Sequence, residues 1–147
     1  MNFPIDLEKL INYYKKLPGI GERSAERLAI ATIEFNNEEI EEFSKTLINA
    51  KNNLTRCTIC AHITDNEICD ICNSENRNQN LICVVEDYKS VFSFEKSGKF
   101  KGTYHVLNGL ISPIDDIGPE DINLASLENR VSKLKEVELI LALKPTI

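Results

Sequence analysis

Apolar residues in the first third of the chain recur at steps of three and four, the spacing of a helix with one buried face. Three such runs follow one another, and Asn37 is the predicted N-cap of the third. Residues 1–56 are therefore predicted to form a small helical bundle. The apolar faces consist of Leu7, Leu10, Ile11, Tyr14 and Leu17, then Ala25, Leu28, Ala29, Thr32 and Ile33, then Ile40, Phe43, Leu47, Ala50 and Leu54.

The pattern changes after residue 80 to short apolar runs that alternate with helical periodicity. Residues 81–85 form a continuous apolar run, which is typical of a parallel strand buried on both faces. Asp87 is expected to cap the following helix. Further strands are predicted at residues 103–107 and 137–143, with a helix over residues 124–134 between them. This βαβαβ order requires parallel strands and right-handed connections.

Two Cys-x-x-Cys pairs lie between these parts, formed by Cys57 with Cys60 and Cys69 with Cys72. Two such pairs supply the four sulfurs of a closed tetrahedral zinc site, so one structural Zn²⁺ per chain is predicted. Two disulfides or a redox pair are the alternatives, but neither a secretory signal nor a thioredoxin-like strand precedes the first pair. Cys83 lies in an apolar run and is predicted to be a buried thiol.

The turn between the first two helices contains Gly19 and Gly21 on either side of Ile20. The glycines permit positive φ, while the isoleucine fills the gap between the helices. Backbone N–H groups at the start of the second helix then form an anion site suited to a phosphate. Arg23 and Arg27 lie on one face of this helix and add positive charge. Alternatively, the turn is only stiff and the arginines are solvated or paired with neighbouring glutamates.

Charge and hydropathy limit the classes of partner. The 147 residues carry a net charge of -6, so any nucleic-acid contact must be local. Acidic residues concentrate at positions 34–42, which form either a docking face for basic partners or, as charge runs usually do, a solvated helix face. No apolar run approaches the roughly 20 residues of a membrane span. A soluble, cytoplasmic protein is expected.

The segment LPGIGERSAERLA is similar to a helix-hairpin-helix motif, and with the four cysteines behind it the chain resembles the bacterial RecR family of recombination mediators. The resemblance extends over essentially the whole chain. It implies an α+β fold with a helix-hairpin-helix DNA-binding region at residues 1–56, a C4-type zinc finger at 57–72 and an incomplete Toprim domain, a partial parallel sheet, at 80–147. Four downstream segments also occur in the same order as in that family: ICVVE at 82–86, YHVLNG at 104–109, SP at 112–113 and IGPED at 117–121.

This resemblance implies a non-enzymatic DNA-repair protein that acts with RecO and RecF to load RecA on single-stranded DNA. It assigns phosphate contact to Arg23 and Arg27 and an exposed backbone to Gly19 and Gly21. DNA binding would be independent of sequence. Family members assemble into dimers and tetrameric rings, and they usually continue beyond residue 147, so a truncated form is expected.

Toprim enzymes hold magnesium through a glutamate after the first strand and an Asp-x-Asp pair after a later one. Glu86 occupies the first place, but Lys144 follows the third strand. Asp115 and Asp116 are adjacent and are predicted to form a turn. No catalytic residue is therefore expected, and Glu86 is predicted to be structural or to bind a partner. The alternative is a magnesium-dependent nuclease or primase-like enzyme that uses Glu86.

Overall fold

The computed structural model describes residues 2–145. The chain divides into two compact units, Met1–Asn52 and Asn53–Ile147, which are described separately below. Within residues 2–145, no helix combines the length and the apolar character needed to cross a bilayer.

The first unit is helical, as predicted. Helices α1 and α2 span Ile5–Lys15 and Glu22–Ile33, and α3 spans Asn37–Asn53. The first two helices form a hairpin around a small core in which two alanines and one isoleucine are almost fully buried. Ile20 in the turn packs against this core, as expected from its position between two glycines. The buried residues are Ile11, Ala25 and Ala29.

Helix α3 differs from the prediction in two respects. Its apolar face is not buried, since Phe43 is 39% exposed and Leu47 58% exposed, and no residue of α3 is buried. Periodicity shows that a helix has an apolar face but does not show what covers that face. The N-cap is Asn36 instead of Asn37, because the Glu39 N–H donates to Asn36 Oδ1 at 2.9 Å and the Asn36 N–H donates to Glu39 Oε2 at 3.3 Å. This reciprocal pair is a capping box.

The second unit contains a three-stranded parallel sheet, which confirms the predicted fold class. Its strands are β3 (Asn78–Val85), β4 (Gly102–Val106) and β5 (Glu138–Ala142), in the order β4-β3-β5. Two helices connect them, α5 (Tyr88–Glu95) and α6 (Ala125–Ser132). Of these three strands, β3 comes first along the chain and lies in the centre of the sheet.

Alternate residues of the central strand β3 enter two different cores. Cys83 and Val85 pack with Val91 of α5, whereas Ile82 and Val84 pack with Leu127 of α6. The sheet is thus covered on both faces, which explains why residues 81–85 are apolar without alternation.

Short elements around the cysteines were not predicted. Strands β1 (Thr55–Arg56) and β2 (Ile63–Thr64) form an antiparallel hairpin, and a one-turn helix, α4, spans Asp70–Asn73. Elements this short bury too few residues to produce a periodic pattern. A 3-10 helix at Pro119–Asp121 follows the predicted turn at Asp115.

Candidate metal centre and nucleic-acid surface

The four cysteines of the two pairs converge on one point. All four Sγ atoms lie within 4.8 Å of one another and all four residues are buried. Cys57 and Cys60 belong to the turn of the β1–β2 hairpin, whereas Cys69 is the N-cap of α4 and Cys72 lies within that helix. All five cysteines of the chain are free thiols, so the structure contains neither of the two disulfides considered above.

Backbone N–H groups surround the sulfurs. The His62 N–H donates to Cys60 Sγ at 3.4 Å, and the Cys69 N–H donates to Cys57 Sγ at 3.3 Å. The Cys72 N–H donates to Cys69 Sγ at 3.5 Å. Hydrogen bonds to sulfur favour the thiolate over the thiol and orient it towards a cation, as the outer shell of a metal site does.

The sulfurs of the cluster influence one another's ionisation. Hydrogen bonding from the Cys60 thiol lowers the pKa of Cys69. The pKa of Cys60 is raised, chiefly by its hydrogen bond to Cys69, and that of Cys72 is raised by its bond to Cys60. Four adjacent thiolates need a cation between them, and a divalent ion supplies that charge. The cluster can therefore hold a metal ion.

His62 is adjacent to the cluster but does not belong to it. Within residues 2–145, the only group of three or more candidate metal ligands is the four cysteines. The His62 ring is buried and packs edge-on against Phe92, with ring centroids 4.9 Å apart. Burial lowers the pKa of His62, so the imidazole is neutral.

The two glycines of the α1–α2 turn have different conformations. Gly19 has a φ of +79°, as predicted. Gly21 has φ -83° and ψ 177°, so the expectation of positive φ is wrong there. Gly21 is the N-cap residue that precedes α2, and its extended conformation is open to any amino acid. Of these two residues, only Gly19 has a backbone conformation that favours glycine.

The N-terminus of α2 is open. The first helical bond runs from the Ala25 N–H to the Gly21 carbonyl oxygen at 2.9 Å, and Gly21 has no side chain with which to cap the earlier N–H groups. The N–H groups of residues 22–24 have no hydrogen-bond acceptor among the residues that the structure describes. Unpaired donors at the positive end of a helix dipole favour an anion.

Arg23 and Arg27 are both exposed on α2 beside this N-terminus. In the described part of the chain neither arginine makes a salt bridge, and Glu22 instead pairs with Lys15 at 3.3 Å. The alternative in which the arginines pair with neighbouring glutamates is thus absent from the structure. Both guanidinium groups are available to an anionic ligand.

We expect alanine substitutions at the two glycines to have different effects. Gly19→Ala should lower the free energy of unfolding by about 1 kcal/mol, because an L-residue is strained at positive φ. Gly21→Ala should change it by less than about 0.5 kcal/mol, since a Cβ there meets no atom within 4 Å. Urea unfolding of the two variants measures both effects, and equal stabilities would contradict the turn geometry.

Glu86 lies at the carboxyl end of β3 and forms an ion pair instead of belonging to a carboxylate cluster. Lys144 follows β5, and its Nζ atom is 3.2 Å from Glu86 Oε1. The neighbouring Asp87 is already engaged, because its Oδ1 accepts the Ser90 N–H at 2.9 Å and thereby caps α5 as predicted. This bond lowers the pKa of Asp87. Asp115 and Asp116 lie in a separate turn, where Asp116 has a φ of 57°.

The fold places this chain in the class of proteins that combine a helix-hairpin-helix region, a cysteine metal centre and a Toprim-type parallel sheet. Comparison with protein families agrees: a model described as RecR, helix-hairpin-helix matches residues 7–51, and a Toprim domain model matches residues 80–147. The recombination protein RecR of Staphylococcus aureus strain MRSA252 is 48% identical over 147 residues, which is 100% of this chain and 74% of that protein. Those of strains JH9 and Newman are 47% identical with the same coverage. The chain belongs to the RecR family.

Proposed function

We propose that this chain is a non-enzymatic recombination mediator that binds DNA and acts with RecO and RecF to load RecA on single-stranded DNA. The relatives that are 47–48% identical over the whole chain are named recombination protein RecR, which supports the recombination role. The observation that carries the DNA-binding part is the open N-terminus of α2 beside two arginines without salt bridges in the described residues.

In this proposal, DNA phosphates approach the backbone at Gly19 and Gly21 and the side chains of Arg23 and Arg27. The N–H groups and guanidinium groups are all donors, and each guanidinium can hold a phosphate through two hydrogen bonds. Contacts of this kind involve the DNA backbone and not the base edges. Binding is therefore independent of sequence and depends steeply on salt.

We assign one structural Zn²⁺ per chain to Cys57, Cys60, Cys69 and Cys72, because four thiolates suit tetrahedral zinc. When bound, the ion supplies the positive charge that keeps four neighbouring sulfurs ionised. The cysteine loop also contacts the sheet of its own unit, since the Val106 N–H donates to the Cys60 carbonyl oxygen at 2.8 Å. The metal thus stabilises both the loop and the end of β4.

We propose that the sheet performs no metal-dependent cleavage and that Glu86 has a structural or partner-binding role. Magnesium usually requires more than one carboxylate, whereas Glu86 is paired with the ammonium group of Lys144. The proposed parts are a helix-hairpin-helix region at 1–56, a zinc finger at 57–72 and a Toprim domain at 80–147. Assembly into dimers or rings would let a few basic side chains from each chain act together on one DNA.

Neutralising both arginines tests the DNA-binding part. Arg23→Gln/Arg27→Gln should weaken binding of a fluorescent oligonucleotide roughly tenfold and reduce the slope of log K against log salt by about 1.4, because two phosphate contacts are lost. Fluorescence anisotropy over a range of salt concentrations measures both quantities.

The matched control is Lys45→Gln/Lys51→Gln, which removes the same charge from exposed positions of α3. It should bind within about twofold of the parent, since it leaves both proposed phosphate contacts in place. Equal affinities for the two double variants would contradict the assigned surface. The mediator part is tested separately, by the rate at which RecA assembles on single-stranded DNA coated by its binding protein in the presence of RecO. No acceleration by the chain would contradict it.

A further inference from the structure

The strand order of the parallel sheet creates a crevice at one edge. The chain leaves β3 for β4 on one side and then crosses to β5 on the other side, and α5 and α6 cover opposite faces. The carboxyl ends of β3 and β5 therefore flank a topological switch point. Parallel α/β sheets bind their ligands in the crevice outside such a point. Glu86 directly follows β3, and Lys144 is the second residue after β5.

A cavity of about 560 Å³ lies at this edge of the sheet. We call it the switch-point crevice and define it by Arg56, Tyr88, Lys89, Asn108 and Lys144, which line it together with two acidic residues and a glycine. Its volume is that of a small-molecule pocket, so it admits single nucleotides of a flexible strand.

The charges of the crevice favour an anion. Three cations face two carboxylates there, although the chain as a whole has a net charge of -6. Glu86 is already paired with Lys144, and Asp87 is the N-cap of α5. Arg56 and Lys89 make no salt bridge within residues 2–145, and the Lys144 side chain is 79% exposed. Its ammonium group can therefore bind a second acceptor besides Glu86.

The crevice also contains a planar cationic surface. The Arg56 guanidinium lies over the Tyr88 ring, 4.5 Å from its centroid, and donates to the Ala61 carbonyl oxygen at 3.3 Å. These contacts hold the guanidinium flat and in place. A fixed guanidinium can stack on a base while the neighbouring lysines contact the flanking phosphates. Aromatic and cationic planes within a basic groove are how proteins bind single strands.

We propose that the switch-point crevice binds the phosphodiester backbone of single-stranded nucleic acid, as a second contact surface in addition to α2. The ammonium group of Lys144, 3.2 Å from Glu86 Oε1, neutralises this carboxylate, so binding needs no added magnesium. This assignment rests on the proposed function in taking nucleic acid as the ligand. It does not depend on Arg23 or Arg27.

The test compares two double variants of the full chain with the same loss of charge. Lys89→Gln/Lys144→Gln removes two crevice cations, whereas Lys99→Gln/Lys135→Gln removes two exposed lysines that do not line the crevice. With a fluorescent oligo-dT and no magnesium, the crevice variant should bind roughly tenfold more weakly than the parent. The slope of log K against log salt should be smaller by about 1.4. The control should stay within about twofold of the parent.

Placing the crevice variant in the Arg23→Gln/Arg27→Gln background separates this inference from the proposed α2 contact. A further tenfold loss there supports the crevice, even if the arginine variant alone has no effect. Equal binding by the crevice and control variants in both backgrounds overturns the inference. Circular dichroism and metal content verify that each variant is folded, and Lys89→Arg/Lys144→Arg should retain parental affinity.

Two further measurements identify the ligand. An oligo-dT that contains 5-iodouracil should photocross-link to a peptide that contains Arg56 or Tyr88, and cross-linking to neither of these peptides would overturn the assignment. ATP and inorganic phosphate serve as competitors. If either displaces the oligonucleotide at an equal concentration of phosphate groups, the site takes free phosphates and the assignment to a polynucleotide is wrong.

Discussion

Replacing Cys60 by serine is expected to abolish metal binding and to lower the free energy of unfolding of the second unit by several kcal/mol. Structural zinc in small peptides binds with apparent free energies of about 10–16 kcal/mol, and this energy contributes directly to folding. The Cys60 carbonyl oxygen also accepts the Val106 N–H at 2.8 Å, so disorder of the loop exposes the end of β4. Elemental analysis and urea unfolding measure the two effects.

Cys83→Ala is the matched control for this experiment. Cys83 is a buried free thiol, 4% exposed, that belongs to the core between the sheet and α5 and not to the four-cysteine cluster. Its removal should cost about 1 kcal/mol through the small cavity that it leaves. The variant should retain one zinc per chain. A Cys60→Ser protein that retained zinc, or a Cys83→Ala protein that lost it, would contradict the ligand assignment.

Arg77→Ala is expected to lower the free energy of unfolding by about 3 kcal/mol, because it leaves a partly buried carboxylate without its cation and removes two hydrogen bonds to backbone carbonyls. Arg77 Nη2 lies 2.5 Å from Glu95 Oε2, with the two side chains 19% and 28% exposed. Arg77 Nη1 also donates to the carbonyl oxygens of Phe100 and Gly102 at 3.2 and 3.3 Å. One side chain thus joins the start of β3 to α5 and to the segment before β4.

The same ion pair predicts a pH dependence. The hydrogen bond from Arg77 lowers the pKa of Glu95 below its ordinary value, and the Tyr104 hydroxyl donates a further bond to Glu95 Oε1 at 2.6 Å. A depressed pKa in the folded state contributes stability above the unfolded value of about 4.3. This stability is lost as the pH falls through the folded pKa. Arg77→Ala should therefore lose less stability than the parent between about pH 5 and pH 3.

Urea unfolding at several pH values measures this difference. Lys9→Ala is the control, since its pair with Asp6 is exposed, with side chains 68% and 98% accessible. Its removal should change stability by less than about 0.5 kcal/mol and leave the pH profile unaltered. Parallel pH profiles for Arg77→Ala and the parent would contradict the role assigned to the ion pair.

Much of the fold could be predicted from the sequence because local rules govern it. Helical periodicity located α1 and α2, and the continuous apolar run at residues 81–85 indicated a central parallel strand. Asp87 was identified as an N-cap, since a capping side chain acts within three residues of its own position. The spacing of the four cysteines likewise predicted their convergence.

The features that sequence reasoning missed depend on distant or very short pieces of chain. The ion pair of Glu86 with Lys144 joins the ends of two strands that no local pattern connects. The stacking of Arg56 on Tyr88 depends on how the cysteine hairpin packs against α5. The prediction of Asn37 instead of Asn36 as the N-cap was a one-residue error between two adjacent asparagines, a difference that residue type does not resolve.

The placement of the first strand in the middle of the sheet determines the order in which that sheet can assemble during translation. β3 leaves the ribosome before either of its neighbours exists, with both of its edges unpaired. β4 can pair with it soon afterwards, but the second edge stays open until residues 138–142 have been synthesised. Newly made chains therefore pass through a stage in which an apolar strand edge is accessible, and this interval is when co-translational aggregation or chaperone capture is most favoured.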